Sequence, residues 1–377
     1  GECWDYFPHD HARSRAYRWG EDGLLGVTDR ECRLCFALAL WNGKDKILKE
    51  RLFGLTGPEG NHGEDVKESY FYLDSTPTHS YMKSLYKYPQ AEFPYGELVG
   101  ENRRRGKHDP EYELADTGIF DHGRYFDVFA EYAKESVDDI LIRITIANRG
   151  DLASTIHMLP TLWFRNTWSW GCTHEGCEIK PFIVRQADGS LLSDHPTRGQ
   201  LRLQIDQTVY GSGKSMAEPV TLLTENESNM ERLFDMPASE TLAKDAFHGY
   251  VISGENRAVR DLKRGTKAAR HFVVTIPPGG ESILKLRLVK SDSVKSDPFG
   301  PGFDRIFRSR IIEADAFYAK TLPAHASVEE INVARQALAG LLLSKQFYHY
   351  AIQEWISGDP DMPVPPASRR NGRNSEW

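Results

Sequence analysis

Alternation of apolar and polar positions dominates the first two-thirds of the chain. Between Asp139 and Ala147, Ile140, Ile142, Ile144 and Ile146 fall on one strand face, and Leu141, Arg143, Thr145 and Ala147 on the other. The run ends at Asn148, Arg149 and Gly150, a turn signal, and Ile156–Phe164 follows as its expected partner strand. His271–Ile276 meets Pro277–Gly280, and Ser282–Leu288 returns, the signature of a hairpin. In the return strand Leu284, Leu286 and Leu288 point inward while Lys285 and Arg287 point to water, as in an antiparallel sheet with one wet face. Many such strands with few long helices predict a mainly β chain, a large antiparallel β-sandwich over about residues 25–290.

The period changes after Pro298. Phe303, Ile306, Phe307, Ile311, Ala314, Phe317 and Tyr318 repeat at helical spacing. Ser327 and Glu330 form a capping box that opens a helix predicted over about residues 328–356. Its apolar residues, among them Leu338, Leu341, Leu342 and Phe347, cover a wide arc, so packing on more than one side is expected. Two helices cannot close an α-domain. They lean on the sandwich or pack against chain beyond Trp377, and in the second case these leucines are under-covered here. The expected division is a β-domain with an N-terminal extension over 1–295, a helical linker over 296–326, and the opening of a second domain over 327–377.

The chain has 377 residues, enough for two cores. Hydrophobic residues make up 40% and charged residues 27%, which is ordinary for a soluble globular protein. A net charge of -7 gives no electrostatic reason to expect nucleic acid or an anionic membrane as partner, and no apolar run reaches transmembrane length. The first residue is Gly1, without an initiator Met, and the last stretch to Trp377 is polar and turn-rich, so both ends read as cut. Five cysteines, an odd number, argue against a disulfide framework and for a reducing cytoplasm. Cys32 and Cys35 lie in an apolar strand-like run and read as structural thiols. Cys172, His174 and Cys177 are three soft ligands within six residues, but the sequence offers no fourth, so neither metal nor cofactor is expected.

Three stretches hold more rings and charges than packing demands. The first is Trp4–His11 with Tyr17–Gly23, the second Glu59–Asp65, the third Thr161–Trp170. Sugars present hydroxyls around apolar C–H faces, so their sites pair flat rings with carboxylates, Asn, His and Arg. Trp19 beside Glu21 and Asp22 suits this, as does the group Asn61, His62, Glu64 and Asp65. Flanking glycines let backbone approach a ligand closely. For each group the plain alternative is a solvated turn held by its own side chains. No nucleophile elbow, phosphate loop or zinc-protease motif is present.

In these stretches the sequence resembles the bacterial glucosidase-like proteins of glycoside hydrolase family 63, which also includes the processing mannosyl-oligosaccharide glucosidase. Trp4–Gly23, Lys49–Lys67, Tyr72–Lys83 and Leu162–Trp170 carry the resemblance. It implies an N-terminal β-sandwich followed by an (α/α)6 barrel, the two together about twice this length or more. It also implies hydrolysis with inversion, by an Asp general acid and a Glu general base of the barrel. Residues 328–356 match the first barrel helix, and the catalytic Asp would follow Trp377, so no catalytic residue is assigned in this chain. The expected substrate is an oligosaccharide or small glycoside, and the expected partner is the chain's own barrel domain. Trp19, Glu21, Asp22, Asn61, His62, Glu64 and Asp65 are the candidate substrate contacts. The alternatives are a stand-alone sugar-binding or interaction module, and another barrel enzyme such as a disaccharide phosphorylase.

Overall fold

The structure is a computed structural model that describes residues 12–62, 65–237, 240–255, 257–344 and 351–372. Trp4–His11, Glu64 and Phe347 lie outside the described residues.

Strands run from Leu24 to Lys290, as the alternation predicts. In chain order they are β1 (Leu24–Thr28), β2 (Leu34–Trp41), β3 (Gly54–Leu55), β4 (Asp65–Val66), β5 (Tyr70–Ser75) and β6 (Tyr81–Pro89). Next come β7 (Tyr125–Ser136), β8 (Asp139–Asn148), β9 (Ser154–Phe164), β10 (Phe182–Arg185), β11 (Leu191–His195) and β12 (Gly199–Ile205). The last are β13 (Tyr210–Gly211), β14 (Lys214–Ser215), β15 (Val220–Thr224), β16 (Arg264–Gly265), β17 (Lys267–Ile276) and β18 (Glu281–Lys290). The main helices are α1 (Tyr95–Arg104), α2 (Pro301–Thr321), α3 (Val328–Leu343) and α4 (Ile352–Ser357).

Two large antiparallel sheets result. A six-stranded sheet has the order β1-β2-β9-β17, with β14 and β15 both paired to β17. A ten-stranded sheet has the order β16-β10-β11-β12-β18-β8-β7-β6-β5, with β13 beside β18. Their inner faces share one buried core. Phe36 and Leu38 of β2, Met158 of β9 and Phe272 of β17 meet Tyr86 of β6, Val128 of β7, Ile144 of β8 and Leu284 of β18.

Two expected hairpins are corrected. β8 pairs with β7 and β18, whereas β9 pairs with β2 and β17. Likewise β17 lies in the six-stranded sheet and β18 in the ten-stranded one. Pro277–Gly280 therefore crosses between layers. Four residues reach at most about 13–14 Å, which suffices for sheets packed about 10 Å apart.

The outer face of β18 is also corrected. Lys285 and Arg287 do not point to open water. Arg287 is only 3% exposed and pairs with Asp139 Oδ2 at 2.6 Å. Lys285 reaches Asp304 of α2 at 3.1 Å. Helix α2 covers this side by setting Phe303, Phe307 and Ala314 against Tyr81, Ala133 and Leu141. The capping box holds, since Ser327 N–H donates to Glu330 Oε2 at 2.7 Å. The helix does not run unbroken to residue 356. The described part of α3 ends at Leu343, and an extended Ala351 caps the separate α4. Within α3 only Ala339 is buried, while Leu341 is 66% exposed.

Candidate functional site

The site forms where the segment before β1 lies on the outer face of β2 and β9. Close approach is the local reason for the glycines: a Cβ on Gly23 would stand 2.5 Å from Ala37 Cβ, and one on Gly26 would stand 2.8 Å from the Phe36 carbonyl. Leu25 takes a positive φ of 55°, and its carbonyl accepts a hydrogen bond from the Tyr132 hydroxyl. This packing buries Glu21 and leaves Asp22 more open.

Glu21 Oε1 accepts from Asn226 Nδ2 at 2.9 Å, and Glu21 N–H donates to Cys32 Sγ at 3.2 Å. Burial raises the pKa of its carboxyl, opposed by the charge of Lys244 and the Asn226 hydrogen bond. Asp22 Oδ2 meets Arg51 Nη2 at 3.1 Å, and Arg51 Nη1 donates to Tyr17 Oη at 3.1 Å. Burial pushes the Tyr17 phenol up to about 12. Lys267, only 3% exposed, reaches Glu50 Oε1 at 2.6 Å.

Glu21 and Asp22 line two spaces. One, of about 50 Å³, is walled by Tyr17, Glu50, Arg51, Asn226, Lys244 and Lys267. It has room for water rather than a sugar ring. The other is a cleft of about 740 Å³, a size that suits a small-molecule ligand. Its walls include Asp29, Tyr70, Tyr72, His79, Tyr132 and Arg198, and Leu342 and Leu343 from α3. The cleft thus mixes rings, carboxylates and cations. Those groups can stack on a sugar's C–H face and bind its hydroxyls, and burial raises the carboxyl pKa of Glu21 above the usual carboxylate range.

The other candidates lie apart from this cleft. Trp19 is capped by the Arg18 guanidinium, 4.2 Å from its ring centre, and lines neither space. Asn61, His62 and Asp65 also line neither. Instead Asn61 Nδ2 donates to the Asp109 carbonyl at 3.1 Å, and His62 Nε2 lies 3.1 Å from the Lys107 carbonyl. Asp65 is 3.7 Å from the buried Lys67 ammonium, which Glu111 also meets at 2.8 Å. A shared hydrogen bond with Glu111 raises the Asp65 carboxyl pKa. Glu64 lies outside the described residues. These contacts tie Asn61, His62 and Asp65 to the 106–113 loop.

In the third stretch Trp163 is 7% exposed and packs with Cys32, Cys35 and Ala37. Trp168 Nε1 donates to Glu227 at 2.7 Å, and Trp170 Nε1 to the Asn166 carbonyl at 2.9 Å. Cys32 and Cys35 are buried free thiols with sulfurs 3.6 Å apart, as expected. Sequence reasoning placed Tyr17 in a candidate stretch without singling it out, and missed Arg51, Asn226, Lys267 and the Tyr70/Tyr72 wall. Lys267 carried a signal, a charge opening the apolar run of β17. Asn226, in a polar loop, carried none.

No family model matches this chain. It is similar to the protein named "Uncharacterized protein YMR196W" of Saccharomyces cerevisiae, with 43% identity over 410 aligned residues. The match covers 100% of this chain and 38% of the yeast protein, so the chain spans well under half the length of the curated relative it matches.

Proposed function

We propose that this chain is the N-terminal part of a glycoside hydrolase of family 63 type, acting on α-glucosides or related oligosaccharides. In this reading α3 opens an (α/α)6 barrel that supplies the general acid and base. The β-part forms one wall of the substrate site. One observation carries the proposal: Leu342 and Leu343 of α3 line the same cleft as Glu21 and Asp22. The helix that would begin the second domain therefore lines a ligand-sized space, and pockets favour such domain boundaries. The under-covered face of α3 and the greater length of the yeast relative support the same reading. The role of Glu21 and Asp22 is positioning, holding hydroxyls so that the scissile bond faces the barrel carboxylates.

The test uses the full-length gene product on an aryl α-glucoside and on glucose-terminated oligosaccharides, with the product anomer followed by NMR. Turnover with inversion is expected, and Asp22→Asn should lower kcat/KM with the melting temperature nearly unchanged. The 377-residue chain alone should bind sugar without turnover. Hydrolysis by the short chain, lost on mutating one of its own carboxylates, would overturn the assignment of chemistry to the barrel. A full-length protein that binds sugar and hydrolyses none of these substrates would make it a binding module.

A further inference from the structure

The loop after β9 carries a cluster that the sugar site does not use. Gly171 and Gly176 take left-handed backbone, φ 74° and 71°, and curl the loop on itself. A one-turn helix over His174–Gly176 brings Cys177 back under His174. As a result a ligand atom from each of Cys172, His174 and Cys177 lies within 4.8 Å of the other two. Both cysteines are free thiols and half-buried, while the imidazole is open to solvent.

The fold brings a carboxylate from a distant element beside this cluster. Glu354, on α4 and 180 positions beyond His174, places Oε1 at 3.7 Å from His174 Nε2. Its other oxygen is engaged by Arg18 Nη2 at 2.8 Å, and Arg18 Nε in turn pairs with Asp359 at 3.0 Å. Arg18 thereby orients the carboxylate and leaves Oε1 aimed at the imidazole, the outer-layer support usual for a metal ligand. Zinc bonds of about 2.3 Å to sulfur and about 2.0 Å to nitrogen or oxygen set tetrahedral ligand atoms roughly 3.3–3.8 Å apart. Zinc-bound nitrogen and oxygen lie about 3.3 Å apart, so the His174–Glu354 pair, now at 3.7 Å, must draw closer, and Glu354 must join the three-residue cluster by a side-chain shift.

We propose that Cys172, His174, Cys177 and Glu354 form a structural zinc site that fastens the segment bearing α4 to the loop after β9. Two thiolates, one neutral imidazole and one carboxylate fill all four positions, so no open position remains for catalysis. Binding releases the two thiol protons to solvent and involves no electron transfer. The ion works with a contact already made between the same pieces. Asp361 N–H donates to the Trp170 carbonyl at 3.3 Å.

The test measures zinc in the untagged 377-residue chain, purified under reducing conditions, exposed to equimolar zinc and dialysed. About one zinc per chain is expected, and Cys172→Ser and Cys177→Ser should each hold less than about a tenth of that. Glu354→Gln should weaken zinc affinity by about tenfold or more. Cobalt(II) in place of zinc should give a thiolate-to-cobalt charge-transfer band and the intense visible bands of a tetrahedral ion. Because that spectrum needs only the wild-type chain, it decides the matter even if a cysteine variant fails to fold. Absence of the band, negligible zinc in the wild type, full zinc retention by the serine variants, or unchanged affinity in Glu354→Gln would each overturn the site. So would a Cys172–Cys177 disulfide in the reduced preparation.

Discussion

At the scale of single residues, Asn148 joins the two layers. It is fully buried at the end of β8, and its Nδ2 donates to the carbonyls of Leu152 at 2.7 Å and Ile276 at 2.9 Å. Its Oδ1 accepts from Gln90 Nε2 at 2.6 Å and Gly150 N–H at 2.9 Å. Both interlayer crossings are thus stapled to one amide. Asn148→Ala should cost roughly 3 kcal/mol or more, since several buried polar groups lose partners at once. Urea unfolding measures it, and a loss under about 1 kcal/mol would show that water replaces the amide. Glu21 behaves in the opposite sense. Its folded pKa is raised by burial, so its contribution to stability is full below the unfolded value and falls as pH rises through the folded one. Glu21→Gln keeps an acceptor for Asn226 and removes the buried charge. Its melting temperature at pH 7 should equal or exceed that of the wild type, and a drop of several degrees would mean the charge is needed, through Lys244. The sequence made Glu21 and Asp22 visible because two acids between glycines are conspicuous. It could not show that Asn61, His62 and Asp65 turn toward the 106–113 loop, because their partners there are backbone carbonyls and Glu111, which no local pattern marks.

At the scale of elements, α2 and α3 are a natural contrast. Phe307 of α2 is 1% exposed under the ten-stranded sheet, with Arg143 stacked 4.4 Å over its ring. Phe307→Ala should cost about 3–5 kcal/mol. Leu341 of α3 is open, so Leu341→Ser should change the stability of the 377-residue chain by less than about 0.5 kcal/mol. If α3 is the first helix of a barrel, the same change in the full-length protein should cost about 2 kcal/mol or more, as for a buried leucine. Equal and small effects in both proteins would remove the barrel reading. The strand and helix positions were legible because periods of 2 and 3.6 are local properties. The layer to which a strand belongs is not local. A connection of four or five residues serves a hairpin or an interlayer crossing equally well, so β8 to β9 and β17 to β18 looked like hairpins. The covered face of β18 was hidden for a similar reason. Lys285 and Arg287 alternate as solvent-facing residues do, and only a distant helix and its acids convert that face to a buried, paired one.

At the scale of the whole molecule, the buried histidines set how stability depends on pH. His157 and His271 stack between β9 and β17, with ring centres 5.0 Å apart and His157 Nδ1 2.9 Å from His271 Nε2. Trp41 closes edge-on over His157 at 4.7 Å, and Tyr250 over His271 at 6.0 Å. Burial lowers His157 to about 4 and His271 to about 3, the second also by repulsion from the first. Burial likewise takes His195 and His248 to about 4, helped by the nearby arginines Arg33 and Arg13 respectively. A histidine whose folded pKa is depressed takes up its proton more readily when unfolded. Its neutral form is at full advantage above the unfolded value of about 6.5, and the advantage is lost as pH falls toward the folded value. Asp45 opposes this. Burial lifts it to about 6, so it favours the folded state increasingly as pH falls from about 6 toward 4. These four histidines, joined by acids such as Glu131 and Asp188 that hydrogen bonds and arginine partners hold low against burial, act against the raised acids, and each unbalanced proton is worth roughly 1.4 kcal/mol per pH unit, less where solvent screens the group. Unfolding free energy should therefore fall from pH 7 to pH 5, and most steeply below pH 6. In His157→Gln/His271→Gln the slope over that range should be shallower, whatever its absolute stability, because two proton acceptors exposed by unfolding are gone. Urea midpoints at pH 7, 6 and 5 measure both slopes. A wild-type stability that is flat or rises on acidification would mean that the raised acids, Asp45 and Glu21 first among them, govern the molecule instead.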